Sequence, residues 1–263
     1  MTNGDCYAQF IKNIFLSACT LFAGTAHAGE PYIGGSVGVT LPNDSENSGE
    51  TTAAIPATAD FPAIPSGTSV DWRTGFNSGF DLNLNGGYRF DNGFRFEVQG
   101  FYNENDIDNH RDLLVGGTNI DGVDSAVLTR GAASATNPLV GEVLADGQGK
   151  LKTYGAMANI FYDFNKTGNL QPYLGGGAGV QFTDVRFIPS GVDVADDNAT
   201  VFAWQGMAGL TYKIGPSMEI YGQYTYRAAD RAGIALNLLP ADLEVDSDQS
   251  IVSLGLRIPF GGK

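Results

Sequence analysis

The chain of 263 residues holds only two cysteines, Cys6 and Cys19, both near its start. No disulfide framework can therefore organise the rest of it. Histidine is as scarce, with His27 and His110 alone. No stretch approaches the about 18 consecutive apolar residues of a membrane-spanning helix, and mean hydropathy is −0.09, so no helical membrane protein is indicated. Charged residues make up 17%, below the roughly 25% of an ordinary soluble domain. Bases are outnumbered 15 to 29, for a net charge of −14. That balance argues against nucleic acid as a partner.

What is plentiful is glycine, with 36 residues, and aromatics, with 16 Phe and 11 Tyr. These are spread over segments of period two. In Trp204–Ile214, one face carries Trp204, Gly206, Ala208, Leu210, Tyr212 and Ile214; Gln205, Thr211 and Lys213 fall on the other. This alternation is that of a strand. The pattern recurs in eight segments: Tyr32–Leu41, Phe76–Phe90, Phe94–Ile107, Leu151–Phe164, Leu170–Thr183, Trp204–Ile214, Met218–Tyr226 and Gln249–Phe260. Each is long enough to cross a bilayer at a tilt, for which about 9–11 residues suffice. Apolar faces edged by aromatics turn outward, and polar faces turn inward. A lipocalin-like barrel has the opposite need, an apolar interior.

Connections alternate in length. Asp91-Asn92-Gly93, Asn165–Asn169 and Gly215–Ser217 are short turns, the first a strong hairpin signal. Between them run long loops at 42–74, 106–150, 184–199 and 228–248. An even strand count with alternating short turns and long loops is the pattern of a bacterial outer-membrane barrel. The expected fold is thus all-β: an eight-stranded antiparallel up-and-down transmembrane barrel. Both termini are expected on the periplasmic side and the long loops outside. The four loops carry 21 acids against 6 bases, so the negative charge gathers on the outer rim, where it attracts cations or basic partners. The alternative is that these acids only keep the loops soluble beside anionic lipopolysaccharide.

The N-terminus reads as a secretory leader. Lys12 precedes the apolar run 14–22, and Ala26-His27-Ala28 supplies a cleavage site. Residues 1–28 are then removed, leaving 29–263 as the barrel domain. Leu16-Ser17-Ala18-Cys19 also reads as a lipobox, with Cys19 lipidated instead.

The runs GGYRFDNGFRFEVQGFY, YGAMANIFYDF, LQPYLGGGAGVQF, FAWQGMAGLTYKI and SIVSLGLRIPF resemble the OmpA-like eight-stranded barrels, most of all their opacity-protein and surface-antigen branch. The resemblance covers the strands and not the loops. It implies an outer-membrane protein with a structural or surface-interaction role, adhesin- or antigen-like, that meets a host or another surface through its loops. It also implies that the last strand is read by the barrel-assembly machinery, although Phe260 is followed by Gly261-Gly262-Lys263. No peptidoglycan-binding domain is expected after the barrel, so that role of OmpA is not implied.

The inward charges are Asp81, Arg89, Arg95, Glu97, Asp163, Lys213, Glu219, Arg227 and Arg257. A narrow barrel is filled by its side chains, and a mixed-sign set reads as a salt-bridge network closing the lumen. The alternative is a small cation-preferring pore lined by the same charges. A glycine row on one inner face, Gly175, Gly177 and Gly179, leaves room for long neighbours. A lipid-modifying enzyme would need a nucleophile and base, but His110 lies beside no obvious serine and reads as a solvated loop residue. Asp193, Asp196, Asp197 and Asn198 have carboxylate spacing that suits Ca²⁺, but they lack the glycine and terminal Glu of an EF-hand and read as a plain acidic loop. The apolar pieces Leu113–Val115 and Leu139–Leu144 are expected to fold locally or enter the barrel mouth, and Ile234–Leu239 to offer a partner surface. No catalytic residue, cofactor or metal is expected.

Overall fold

The computed structural model describes residues 29–188, 194–236 and 240–260. The expected leader, with Cys6, Cys19 and His27, lies outside the described residues. The strands are β1 (Gly29–Pro42), β2 (Ser45–Thr51), β3 (Ser69–Phe76), β4 (Gly79–Phe90), β5 (Phe94–Val115), β6 (Thr118–Asn119), β7 (Gly149–Asp163), β8 (Leu170–Phe187), β9 (Ala195–Lys213), β10 (Glu219–Ala229), β11 (Ala232–Ala235), β12 (Ala241–Val245) and β13 (Gln249–Pro259). Two short helices, α1 (Ala126–Thr129) and α2 (Val140–Leu144), lie between β6 and β7.

Eight of these strands close a ring in the order β1-β4-β5-β7-β8-β9-β10-β13, each pair antiparallel, with β13 returning to β1. Closure leaves no unpaired edge in the wall. The tightest turn forms as its sequence requires: Gly93 takes φ +97°, and the Asn92 side chain accepts the Phe94 amide at 3.0 Å.

The wall is apolar outside and polar inside. Leu254 is 72% exposed, Val37 62% and Leu84 58%. A continuous exposed apolar surface of this kind suits lipid. Aromatics flank it in two belts. Phe94 meets Tyr162 at 5.2 Å near the short turns. Tyr154 stacks on Phe182 at 5.2 Å, and Trp204 meets Tyr226 at 5.8 Å, near the long loops. The glycine row on β8 receives the neighbouring strand's large inward side chains. A Cβ at Gly175 would overlap the Phe161 ring, and one at Gly177 the Asn159 amide.

The long connections are more ordered than loops. β5 runs for 22 residues, β8 for 18 and β9 for 19, against the about 9–11 that a bilayer needs. The surplus rises beyond the aromatic belt as a second storey. The segment 184–199, expected as a loop, is mostly the top of the β8–β9 ladder, paired up to Phe187 with Ala195. The segments 42–74 and 228–248 contribute β2, β3, β11 and β12, which build a sheet in the order β11-β12-β2-β3 onto the upper part of β5. The prolines expected to break any ladder do so only in 52–68, between β2 and β3. The expected strand Phe76–Phe90 is broken at Asn77 and Ser78, where β3 leaves the ring.

In this storey the alternation changes sense. On β8, Gln181 and Thr183 point inward below the rim, and Val185 and Phe187 point inward above it. The upper interior is therefore an apolar core of Val70, Trp72, Ile107, Val185, Phe187, Leu243 and their neighbours. Ile234 belongs to it at 1% exposure, which corrects its expected role as partner surface; residues 237–239 lie outside the described residues. Leu113, Val140 and Leu144 also enter this core, whereas Leu139 stays exposed.

Candidate functional site

The lumen is built in layers. Nearest the short turns, three arginines meet three acids of the inward set, and Arg89 also pairs with Glu30, which is not among the inward charges named from the sequence, at 3.7 Å. Arg89 holds Glu219 through two bonds of 2.7 and 2.8 Å and reaches Asp163 at 3.1 Å. Arg95 contacts Asp163 and Glu97, each at 3.3 Å. Arg257 reaches Glu219 at 3.1 Å. Paired charges and bidentate forks are what make burial of so many ions tolerable. Aromatic rings fill the space around them. The Arg95 guanidinium lies 4.0 Å from the Phe161 ring centre, and that of Arg257 lies 4.7 Å from the Tyr221 ring. The Tyr32 hydroxyl donates to Glu97 at 2.8 Å.

Above this comes an amide layer. Gln99 donates to Asn83 at 2.7 Å, and Gln205 and Asn159 both donate to Gln99 at 2.7 and 2.9 Å. Next is a single charged step. Asp81, fully buried, accepts from Asn83 and Asn103. The Asn103 carbonyl oxygen in turn accepts from Arg227 at 2.9 Å. The Arg227 guanidinium also bonds Gln205 at 3.1 Å and lies 3.7 Å above the Phe101 ring.

Of the nine inward charges named from the sequence, eight meet in these two layers. Lys213 is only half-buried, at the end of β9, and makes no ion pair among the described residues. The tyrosines and Phe161 that complete the filling share the inner faces of the same strands. Period two places them there, but aromatic residues also form the outer belts, so their type gives no signal.

Above the lumen, the second storey encloses a cavity of about 400 Å³. Trp72, His110 and Phe187 line it from the wall, and Ile120, Leu128 and Leu144 from the segment that carries α1 and α2. Thus His110 is not a solvated loop residue: it is 3% exposed, on β5. Strict alternation from Arg95 puts position 110 on the outside. A bulge reverses this, since Gly75 pairs with Asn109 and Phe76 with Ile107, leaving Asp108 extra. Burial holds the His110 imidazole down to about 4, against a weaker upward pull from Asp146. His110 therefore stands neutral at neutral pH.

The segment over the cavity is tied by its own polar groups. Asp124 accepts the Ala126 and Ser134 amides, each at 2.8 Å. Arg130, at φ +56°, donates to the carbonyls of Pro56 and Pro62 at 2.8 and 2.7 Å. The acids named for Ca²⁺ do not gather. Asp197 accepts the Ala235 amide at 3.1 Å, Asp193 lies outside the described residues, and no acid or histidine cluster suited to a metal occurs among the described residues.

The fold has known counterparts. The chain is similar to the outer membrane protein OprG from Pseudomonas aeruginosa, with a TM-score of 0.53 and 17% identity over 90% of this chain and 98% of that one. Neisserial surface protein A is similar over 87% of this chain and 96% of that one, at 15% identity and a TM-score of 0.43. At such identities the likeness is one of fold. No curated protein matches the sequence. The family model of the outer membrane protein beta-barrel domain matches residues 14–257. With the closed ring, the apolar exterior and this match, the chain belongs to that family of bacterial outer-membrane β-barrels.

Proposed function

We propose that this protein is a closed, non-conducting barrel whose task is to hold a folded assembly at the cell surface for contact with other molecules. The observation that carries this reading is the filled lumen. Arg95, Arg227 and Arg257 have 0–1% exposure, each is engaged by neighbours, and the apolar core sits across the axis above them. An ion would have to break paired charges and then cross an apolar layer, both unfavourable steps. The charge network is on this reading a structural plug and no catalytic centre. The short turns and both termini face the periplasm, the leader is removed after Ala28, and the last strand serves barrel assembly.

The surface so presented is acidic. Glu50, Asp71, Asp242 and Glu244 line one groove of the β12-β2-β3 sheet together with Asp197. That field favours a basic partner, or divalent cations shared with lipopolysaccharide.

The test is single-channel recording of the refolded chain in a planar bilayer. Silence from folded protein is the expected result. Stable cation-selective steps that change in Glu219→Ala would establish the pore reading instead.

A further inference from the structure

The cavity of the second storey has a chemistry that surface display does not use. Its walls are mainly apolar, and one buried polar group lies among them. The Thr74 hydroxyl fixes how that group is protonated. Thr74 Oγ1 accepts from Trp72 Nε1 at 3.2 Å and from Asn47 Nδ2 at 2.7 Å. A threonine hydroxyl has two acceptor sites and one proton. Both sites are taken, so its proton goes to His110 Nδ1, 2.9 Å away. Nδ1 of the neutral ring is therefore the acceptor, and Nε2 carries the hydrogen. Nε2 is buried and has no hydrogen-bond partner among the described residues.

A buried donor left unmatched is unfavourable, and native interiors rarely keep one without cause. Thr74, itself held by Asn47 and Trp72, fixes the ring's orientation, and the Phe187 ring packs against the imidazole in a T-shaped contact with ring centres 4.9 Å apart. The cavity is of small-molecule size, at the lower end of the usual range of about 300–1,000 Å³. Ordered water needs two to four polar partners, and the Asn137 amide on the wall is already held by Asp124. Thr129, Gly131 and Ala132 line the cavity and are exposed, so they form its mouth.

We propose that this cavity binds an uncharged, mainly apolar small molecule bearing one hydrogen-bond acceptor, a ketone, ester or ether oxygen, which receives the His110 Nε2 hydrogen. Trp72, Phe187 and Leu128 enclose its apolar body. This goes beyond the display reading and does not depend on it: a silent barrel with an empty pocket and a silent barrel with a ligand are both possible.

The experiment uses the refolded chain in lipid nanodiscs with ¹⁵N-labelled histidine, empty nanodiscs serving as the partition control. 4-Phenyl-2-butanone is the probe and butylbenzene its counterpart without the oxygen. The expected result is an Nε2-protonated His110 whose Nε2 resonance shifts saturably with the ketone. Butylbenzene is expected to bind several-fold more weakly, on the order of fivefold for one neutral hydrogen bond. Ketone affinity, followed by saturation-transfer NMR, is expected to fall to the hydrocarbon level in His110→Phe and to vanish in Leu128→Trp, which fills the cavity. Folding of each variant is checked by its gel mobility before and after heating. An Nδ1-protonated ring, equal affinity for the two probes, ketone binding that survives Leu128→Trp, or no saturable shift in folded wild type would each overturn the proposal.

Discussion

Arg227 lies with its guanidinium carbon 3.7 Å from the centre of the Phe101 ring, and it reaches Asp81 only through the shared side chain of Asn103. The positive charge is thus matched by a ring face, amide oxygens and an acid one residue removed, with no direct ion pair among the described residues. Removing one member of such a set leaves the other charge buried. Arg227→Ala is expected to lower stability by about 3–5 kcal/mol, read from the urea midpoint of the barrel in lipid vesicles. Pairing it with Asp81→Asn is expected to recover part of the loss. A single variant as stable as wild type would mean that water reaches this step.

The contact between Gly175 and Phe161 makes a sharper demand. Gly175→Leu puts side-chain atoms where the Phe161 ring lies, so the β7–β8 pair cannot close at its present register. The expected outcome is failure to reach the heat-modifiable folded form. Gly206→Ala meets nothing within 4 Å and is expected to fold normally. If both behave alike, the glycines serve strand flexibility instead of ring accommodation.

On the outer face, Leu210→Arg sets a cation against lipid. Its expected penalty is roughly 2–4 kcal/mol near the bilayer midplane, measured by reversible unfolding in vesicles. An effect near zero would place Leu210, which is 51% exposed, at the interface or beyond it.

Arg130 clasps the segment over the cavity to the carbonyls of Pro56 and Pro62. Arg130→Ala is expected to speed proteolytic cleavage within 106–150 several-fold while the barrel below stays intact. Arg130→Gly suits the backbone at φ +56° but also lacks the clasp, so it should be cut faster as well. Slow cleavage in the Gly variant would show that backbone conformation, and not the clasp, holds the segment.

His110 gives the second storey a pH dependence with a defined sign. Its folded value, about 4, lies below the ordinary 6.5 or so of an unfolded histidine. The unfolded form binds the proton first, so stability is whole above pH 6.5 or so and declines as pH falls toward about 4. The full effect is on the order of 3 kcal/mol. Carboxylates titrate in the same window, so the measurement is the difference between wild type and His110→Phe. Equal slopes in the two would mean that His110 is solvated in the folded state.

Period two is written into every wall strand, and residues such as Leu254 outside and Arg257 inside can be assigned from it without coordinates. Alternating connection lengths then fix the even number and the up-and-down order. The glycine row of β8 was legible for the same reason, because absent side chains on one face imply large ones opposite. The second storey was not legible in this way. There the alternation reverses its sense, and a search for apolar-out strands takes Val185 and Phe187 for loop. Prolines in 52–68 also masked the strands β2 and β3 on either side.

What the sequence determined by itself is which face each residue takes within a regular strand, since backbone geometry alone sets that period. Tertiary structure decided what no local pattern contains: which charges meet across the lumen, where a bulge turns His110 inward, and how four distant loops share one apolar core. Those outcomes depend on neighbours far apart in the chain, brought together by closure of the ring. The unmatched Nε2–H of His110 is one of them, because Thr74, which bonds Nδ1 and is itself held by Asn47 and Trp72, reaches the ring only when β2 and β3 pair onto β5.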